Sequence, residues 1–526
     1  MNISAARLSL AFAAMALLVG CPDSDEARKS RQPGYQAEVI RQHYIDREDA
    51  VKASMSERLA YKVVSARDQF AALSEPEQAE RLAILNEQLG RTDSAYEPLA
   101  AALAVIEAGP ALDTEVRVSA LQQLSLELEK TRGELDAETA LDSPDRARLL
   151  TQLLVISIAL GKEKYALDYE RAVIDLQEEL DEAGRFGEIR GGLANAGTLN
   201  FFLTQAAYVS ASTGDDRLRS HPYYAFAPYW FMHHLQPGER AYLTHGVSQD
   251  SAWIQELVGG NIDALATLYP SPESQWVLNR LTVGDASEVE LPEGVSPPPP
   301  FGIYPQAALV FWRSSWEATS DTLLARGAVE NDPESELDAG QVTWFDGGVP
   351  VLIEAEEDAA LRDESGREVR IPAHNVLRVD DAVPMASGRA PILTRELSPG
   401  GGNLRIDASE LFPELSQWRR DLFWETGGEL RIIDNVSYAL GHRERTEIFW
   451  HLNADEPVEI SKDGGRTIVE WDKSAVVIQS NATMEIVQHL IDSGNGPHVV
   501  LVLRTIARPA SFRVLTRVLP RESGLV

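Results

Sequence analysis

The chain is short of several features that would narrow its function. It has one cysteine in 526 residues, so no disulfide can form within it. Its 48 Lys and Arg stand against 81 Asp and Glu, and a net charge of −33 repels nucleic acid and anionic lipid surfaces. It has no Gly-x-Gly-x-x-Gly between a strand and a helix and no phosphate-loop motif. These absences exclude a disulfide scaffold and argue against nucleic-acid binding; the acidity is also typical of a solubility or high-salt adaptation.

The first 36 residues have the pattern of an export segment followed by a tether. Residues 1–20 contain an apolar run from Leu8 to Val19, which is typical of a secretion signal and is shorter than a transmembrane helix requires. Its end, "LVGC", resembles the bacterial lipoprotein signal, in which the cysteine receives a lipid. We therefore predict lipidation at Cys21, a tether over 21–36, and a lipid-anchored place in the bacterial cell envelope, periplasmic or cell-surface. The alternative is an ordinary signal peptide with a chance cysteine.

Residues 37–292 carry helical signals. Ser74 followed by Glu77 has the capping-box pattern, and Gly90 ends that segment. A second segment starts at Ser143, and its apolar middle, Leu149 to Leu160, predicts a helix buried on both sides. An all-α domain is the prediction for this half.

The pattern changes at a proline-rich linker, 293–303. Residues 304–526 alternate between apolar and polar in short runs such as "QVTWFDGGVPVLIEAE" and "HVVLVLRTIA", separated by Gly, Asp and Asn turns. This period of two predicts a large antiparallel β-sandwich. The predicted fold class is therefore multidomain α+β: a helical domain followed by a β-sandwich.

Three stretches, at 191–239, 304–356 and 417–453, are similar to the heparinase II/III-like polysaccharide lyases and related alginate lyases. The first holds a His-Pro-Tyr segment, the second the strand "ALVFWRSSW", and the third an Arg-Arg strand and a closing "IFWHL" strand. The resemblance implies that the helical domain is an α/α toroid, here incomplete. It also implies β-elimination on an acidic, uronate-containing polysaccharide.

The sequence departs from that family where the chemistry lies. The family's His-x-His-x-Asp pattern, with one catalytic and one zinc-binding histidine, corresponds here to Glu334, Glu336 and Asp338. A third zinc ligand would correspond to Glu354 or a neighbour. Since zinc prefers imidazole in such sites, we predict that the zinc site is lost and that no cofactor is bound. A calcium-type oxygen site or a solvated acidic loop are the alternatives.

A lyase needs a base, groups that neutralise the uronate carboxylate, and an acid. Groups of these kinds occur on the aromatic segment, on the loop that follows it and on the first sandwich strands. The candidates for catalysis are Tyr224, Tyr229, His245 and Arg313. Those that offer substrate contacts are Asn195, His234, Trp316, Arg419 and Arg420. Each has a structural alternative: the aromatic residues and histidines as packing, and the arginines as ion pairs.

Three functions remain open on the sequence. The first is a polysaccharide lyase with a rebuilt site. The second is a catalytically inactive protein that binds glycan or scaffolds an envelope assembly. The third is a glycoside hydrolase that uses paired carboxylates such as Glu188 and Glu334. All three have a polysaccharide or an envelope assembly as partner, a membrane reached through the N-terminal lipid, and no nucleic acid.

Overall fold

The computed structural model describes residues 65–90, 97–137, 143–182 and 193–237, the positions 261, 264, 265 and 268, and residues 300–520. The last range has gaps at 305–306, 330–337, 356–358, 363–367, 381, 383, 386, 473 and 493–495. The predicted export segment and tether, and five residues singled out above, lie outside the described residues: Cys21, Glu188, His245, Glu334 and Glu336.

The first half of the described chain is helical, as predicted. Its helices are α1 (Ala66–Ala72), α2 (Glu75–Gly90), α3 (Pro98–Ala108), α4 (Thr114–Ala137), α5 (Ser143–Gly161), α6 (Ala166–Glu182), α7 (Leu193–Ser212) and α8 (Tyr223–His233). The Glu77 half of the capping box at the start of α2 is confirmed, because Glu77 Oε2 accepts from the Ser74 backbone N–H at 2.8 Å and from its hydroxyl at 2.6 Å. None of the described helices has the length and apolar content that a membrane span requires.

Helix α5 forms the centre of the helical half. Leu150, Leu153 and Val155 are fully buried, and the helix packs against α3, α4, α6 and α7. A helix that is apolar on nearly all sides needs neighbours on all sides, so the prediction of a doubly buried helix is confirmed.

The second half consists of strands. They are β1 (Phe301–Tyr304), β2 (Leu309–Arg313), β3 (Thr322–Arg326), β4 (Val342–Asp346), β5 (Val349–Leu352), β6 (Ala359–Arg362), β7 (Glu368–Ile371), β8 (Leu377–Val379), β9 (Ile392–Ser398), β10 (Gly401–Asp407), β11 (Leu415–Glu425), β12 (Leu430–Tyr438), β13 (Thr446–Leu452), β14 (Glu459–Asp463), β15 (Arg466–Trp471), β16 (Ser474–Ser480), β17 (Met484–Asp492), β18 (Pro497–Thr505) and β19 (Ser511–Leu519). Strand β1 begins at Phe301, inside the predicted linker, because it pairs with β2.

These strands form two large antiparallel sheets. The nine-stranded sheet has the order β1-β2-β3-β4-β5-β13-β18-β17, with β8 also on β13, and the eight-stranded sheet has the order β14-β15-β16-β19-β12-β11-β10-β9. Strands β6 and β7 form a separate hairpin. The predicted fold class, a helical domain followed by an antiparallel β-sandwich, is thereby confirmed.

The nine-stranded sheet is covered on both faces where it meets the helices. On β2, Val310 and Trp312 belong to the sandwich core, whereas Leu309 and Phe311 belong to the core of the helical half. All five residues of β2 are therefore buried. Alternating side chains point to opposite faces of a strand, so a strand buried on both faces shows no polar side.

Candidate functional site

The helical half meets the sandwich through the aromatic segment on α8. The Trp230 ring contacts the Tyr304 ring edge-on at 4.8 Å. The His233 ring stacks on Trp316 at 6.0 Å, and its Nδ1 lies 2.6 Å from the Tyr304 hydroxyl. We call this contact of α8 with β1, β2 and Trp316 the seam. It brings three of the predicted site residues, His234, Arg313 and Trp316, into one region.

The predicted tyrosines lie on the helical side of the seam. Tyr224 is fully buried, and its hydroxyl donates to the Leu203 carbonyl at 2.8 Å. Burial holds the pKa of Tyr224 well above its ordinary value, so it is neutral at physiological pH. Tyr229 is half-buried and packs against the helical core. Asn195 lies in the first turn of α7.

His234 and Arg313 are held by backbone carbonyl groups in the seam. His234 is buried, and its Nδ1 lies 2.8 Å from the Trp230 carbonyl oxygen. Burial lowers the pKa of His234 to about 4, so the ring is neutral at pH 7 and donates this bond through Nδ1–H. The Arg313 guanidinium donates to the Leu235 carbonyl and stacks over the Trp316 ring at 4.4 Å. These contacts fasten the two halves together.

The neighbouring arginines of β11 have different surroundings. The Arg419 side chain is 42% exposed and pairs with Asp407 at 2.8 Å. Arg420 is 1% exposed, holds both oxygens of buried Asp434 at 2.9 and 3.1 Å, and donates to the carbonyls of Gly340 and Asn375. Arg420 thus ties the two sheets together and presents no surface to a ligand, whereas Arg419 lies at the surface.

Beside the seam, four ionisable side chains converge in a buried cluster. His374 Nε2 lies 2.6 Å from an oxygen of Asp338, and His374 Nδ1 lies 2.6 Å from an oxygen of Glu354. The Arg326 guanidinium pairs with the other oxygen of Asp338. All four side chains are less than 10% exposed. We call Arg326, Asp338, Glu354 and His374 the ion quartet.

The quartet is balanced as two cations and two anions. Burial by itself would lower the pKa of His374, but the charges and hydrogen bonds of Asp338 and Glu354 outweigh it and raise the pKa to about 10. The ring is therefore an imidazolium at neutral pH and donates one N–H to each carboxylate. With Arg326, it compensates both buried anions, which would otherwise be costly.

Asn375 fixes the loop that carries His374. Its side-chain amide donates to the Val342 and Ile353 carbonyls at 2.8 and 2.7 Å, and its Oδ1 accepts from the His451 backbone N–H at 2.6 Å. A fully bonded buried amide has one orientation, so the histidine that follows β7 is held in register with the sheet.

Of the three residues that correspond to the family's motif, Asp338 is the one that the structure describes. Asp338 is the first described residue after the gap at 330–337, which contains Glu334 and Glu336.

Asp338, Glu354 and His374 are the donor types that a divalent cation accepts, and their ligand atoms lie within 4.8 Å of one another. They do not fit the zinc that the resemblance implies. The two carboxylates face opposite ring nitrogens of His374, so one ion cannot take the ring and both oxygens without a rearrangement. Arg326 already neutralises Asp338. The imidazolium stands where a cation would bind.

His374 was not singled out by the sequence. The resemblance pointed to Glu354 and Asp338, but nothing local marks a histidine in the loop between β7 and β8 as their partner. The available signal was the pair His374-Asn375 in a short loop between strands, since loops held by a rigid sheet often carry functional side chains.

The close packing in the seam predicts that a side chain at Gly302 is destabilising. A Cβ on Gly302 would lie 2.5 Å from Nδ1 of His233, whose ring is held by Trp316 and Tyr304 and cannot move away. We expect Gly302→Ala to lower the free energy of unfolding by about 1–3 kcal/mol through overpacking. Thermal or urea unfolding would measure it.

The matched control is Gly133→Ala on α4, where an added Cβ meets nothing within 4 Å. That change should raise stability by roughly 0.5–1 kcal/mol, because alanine favours the helix. Equal stability of the two variants would show that α8 does not press on β1.

Comparison with known proteins agrees with this architecture. No protein-family profile and no curated protein sequence matches the chain. Among solved structures, a heparinase III is similar with a TM-score of 0.58 and 11% identity, over 86% of this chain and 75% of that one. A heparinase III with methylated lysines gives 0.57 and 11%, over 86% and 70%. Heparan sulfate lyase HepC from Pedobacter heparinus gives 0.55 and 13%, over 86% and 72%. At this identity the likeness concerns the fold, and the chain has the heparinase III-like fold.

Proposed function

We propose that this protein is a lipid-anchored protein of the bacterial cell envelope that binds an acidic, uronate-containing polysaccharide. The observation that carries the proposal is the likeness to heparinase III and to a heparan sulfate lyase over 86% of the chain. A fold by itself does not give an activity, so the chemistry must be argued from side chains.

Cleavage by β-elimination needs a base that can accept the proton beside the uronate carboxylate. Among the described candidates, Tyr224 is buried and bonded to a carbonyl. His374 is already protonated at neutral pH and carries a carboxylate on each nitrogen. Of the predicted bases, Tyr229, which is half-buried on α8, and His245 then remain, and we propose His245 as the one to test first.

The second candidate function is polysaccharide binding without cleavage. A separate observation favours it: Tyr224, His234, Arg313 and Arg420 are each engaged in packing or structural hydrogen bonds. A glycoside hydrolase that uses Glu188 and Glu334 remains a prediction, because neither residue is described.

The test measures binding and cleavage side by side. The full chain is titrated calorimetrically with uronate polymers, namely alginate, heparan sulfate and a hyaluronan, and with an uncharged glucan as control. The same mixtures are followed by ultraviolet absorbance for unsaturated sugar ends. We expect heat of binding with at least one uronate polymer and none with the glucan.

The cleavage readout then separates the two candidates. Unsaturated ends that disappear in His245→Ala, with binding kept, identify a lyase with His245 as base. Binding without unsaturated ends identifies the non-catalytic function. No binding to any uronate polymer contradicts the proposal.

A further inference from the structure

Two connections cross side by side between the sheets at one end of the sandwich. Residues 439–445 join β12 to β13, and residues 506–510 join β18 to β19. Because β12 pairs with β19 and β13 pairs with β18, the two connections must be neighbours. The Tyr438 N–H donates to the Ala510 carbonyl at 3.0 Å, and the Arg443 guanidinium to the Arg508 carbonyl at 3.3 Å. We call these two connections the basic corner.

The basic corner exposes large aliphatic side chains. Its sequences are "ALGHRER" and "IARPA". Leu440 is fully exposed and Ile506 is 62% exposed. Arg443 and Arg508 are exposed beside them. Exposed aliphatic side chains on neighbouring connections, with arginines beside them, are typical of protein surfaces that bind membranes. Such surfaces insert their aliphatic side chains between the lipid headgroups and the acyl chains.

The charge of the corner is opposite to that of the chain. Within the two connections the arginines outnumber the acids, with Arg443, Arg445 and Arg508 against Glu444. On the strands beside them, Glu447 lies 4.0 Å from Arg445, and Glu485 lies 3.6 Å from Arg504. Arg445 pairs with Asp380 at 3.8 Å, and His442 contacts Glu444 at 3.0 Å. The turns at the other end of the strands are acidic, with Asp346, Glu425, Glu429, Asp455, Glu456, Asp472 and Asp492.

We propose that the basic corner docks on a lipid bilayer, with Leu440 and Ile506 at the acyl boundary and Arg443 and Arg508 at the headgroup phosphates. The chain has a net charge of −33, so an anionic membrane repels most of the protein surface. The basic corner is the part of that surface that such a membrane can bind. This contact uses the corner's own side chains and depends neither on polysaccharide binding nor on the predicted lipid at Cys21.

The test uses the full chain with Cys21→Ser, so that no lipid can be attached. It is sedimented with vesicles of phosphatidylcholine, with or without an equal part of phosphatidylglycerol. We expect binding to the anionic vesicles that falls as salt is added. The double changes Leu440→Ser with Ile506→Ser, and Arg443→Glu with Arg508→Glu, should each weaken it by about tenfold or more.

The matched controls lie on α4, where Leu126 is 72% exposed and Arg117 is also exposed. Leu126→Ser and Arg117→Glu should leave vesicle binding unchanged, and circular dichroism should show that every variant folds. No vesicle binding by the Cys21→Ser chain overturns the proposal. So does equal loss in corner and control variants, or a corner that binds a uronate polymer and not vesicles.

Discussion

His374→Ala is expected to lower the free energy of unfolding by about 3–5 kcal/mol, because the change leaves Asp338 and Glu354 buried with one cation fewer. Both carboxylates lie 2.6 Å from ring nitrogens that the variant lacks. Arg326 remains on Asp338, so the larger penalty falls on Glu354. Chemical denaturation at neutral pH, with circular dichroism as the signal, would measure the loss.

The control is a histidine that also contacts a glutamate but lies at the surface. His442 is 43% exposed and contacts Glu444 at 3.0 Å. His442→Ala should change stability by about 1 kcal/mol or less, since exposed ion pairs contribute little. Similar losses in the two variants would contradict a compensating role for the His374 imidazolium.

The quartet also predicts a direction with pH. The pKa of His374 is about 10 in the folded protein against an ordinary 6.5. The folded state therefore holds this proton more tightly, so the stabilisation is complete below about pH 6.5 and is lost as the pH rises towards 10. Burial raises the pKa of Glu354 as well, so its protonation also favours the folded state at lower pH, in a window that begins at its own ordinary value and not at that of His374. Melting temperatures across this range should fall more steeply for the wild-type protein than for His374→Gln.

A bound cation would give a different result. Metal ligands must be deprotonated, so a zinc-loaded site would lose stability on acidification and on addition of a chelator. We expect the chelator to leave the melting temperature unchanged. A chelator-dependent drop, or stoichiometric metal in the purified protein, would show that the quartet rearranges around an ion.

Arg420→Ala is expected to cost a similar amount, about 3–5 kcal/mol, whereas Arg419→Ala should cost about 1 kcal/mol or less. Among the described residues, Arg420 is the only guanidinium in contact with Asp434, and that carboxylate is fully buried. Trp418 Nε1 also donates to Asp434 at 3.1 Å but carries no charge. Arg419 is half-exposed beside Asp407. Urea unfolding of the two variants would give the difference.

The same pair of variants separates a structural role from a ligand contact. If Arg419 binds a uronate polymer, Arg419→Ala will weaken polymer binding with little change in stability. Arg420→Lys keeps the charge but cannot reproduce the fork on Asp434 together with the two carbonyl bonds, so it should remain clearly destabilised. A fully stable Arg420→Ala that has lost polymer binding would reverse this assignment.

The sequence determined the layers of this protein because their signals are local. The capping box at Ser74 and the all-round apolar run of α5 specify helices, and the period of two beyond the linker specifies strands. Local backbone and burial preferences are legible within a few residues, so the helical domain and the sandwich followed from them. The order of the three family-like stretches then indicated the fold that the structural comparison shows.

Only the tertiary structure decided which charged residues meet. Arg419 and Arg420 are adjacent in the sequence, and only the pleat of β11 sends one to the surface and the other into the core. His374 lies 20 positions from Glu354 and meets it because β5 and the loop before β8 converge on β13. Contacts between distant segments depend on sheet order and register, which no short pattern encodes, and the charges of the quartet compensate one another only after those strands have paired.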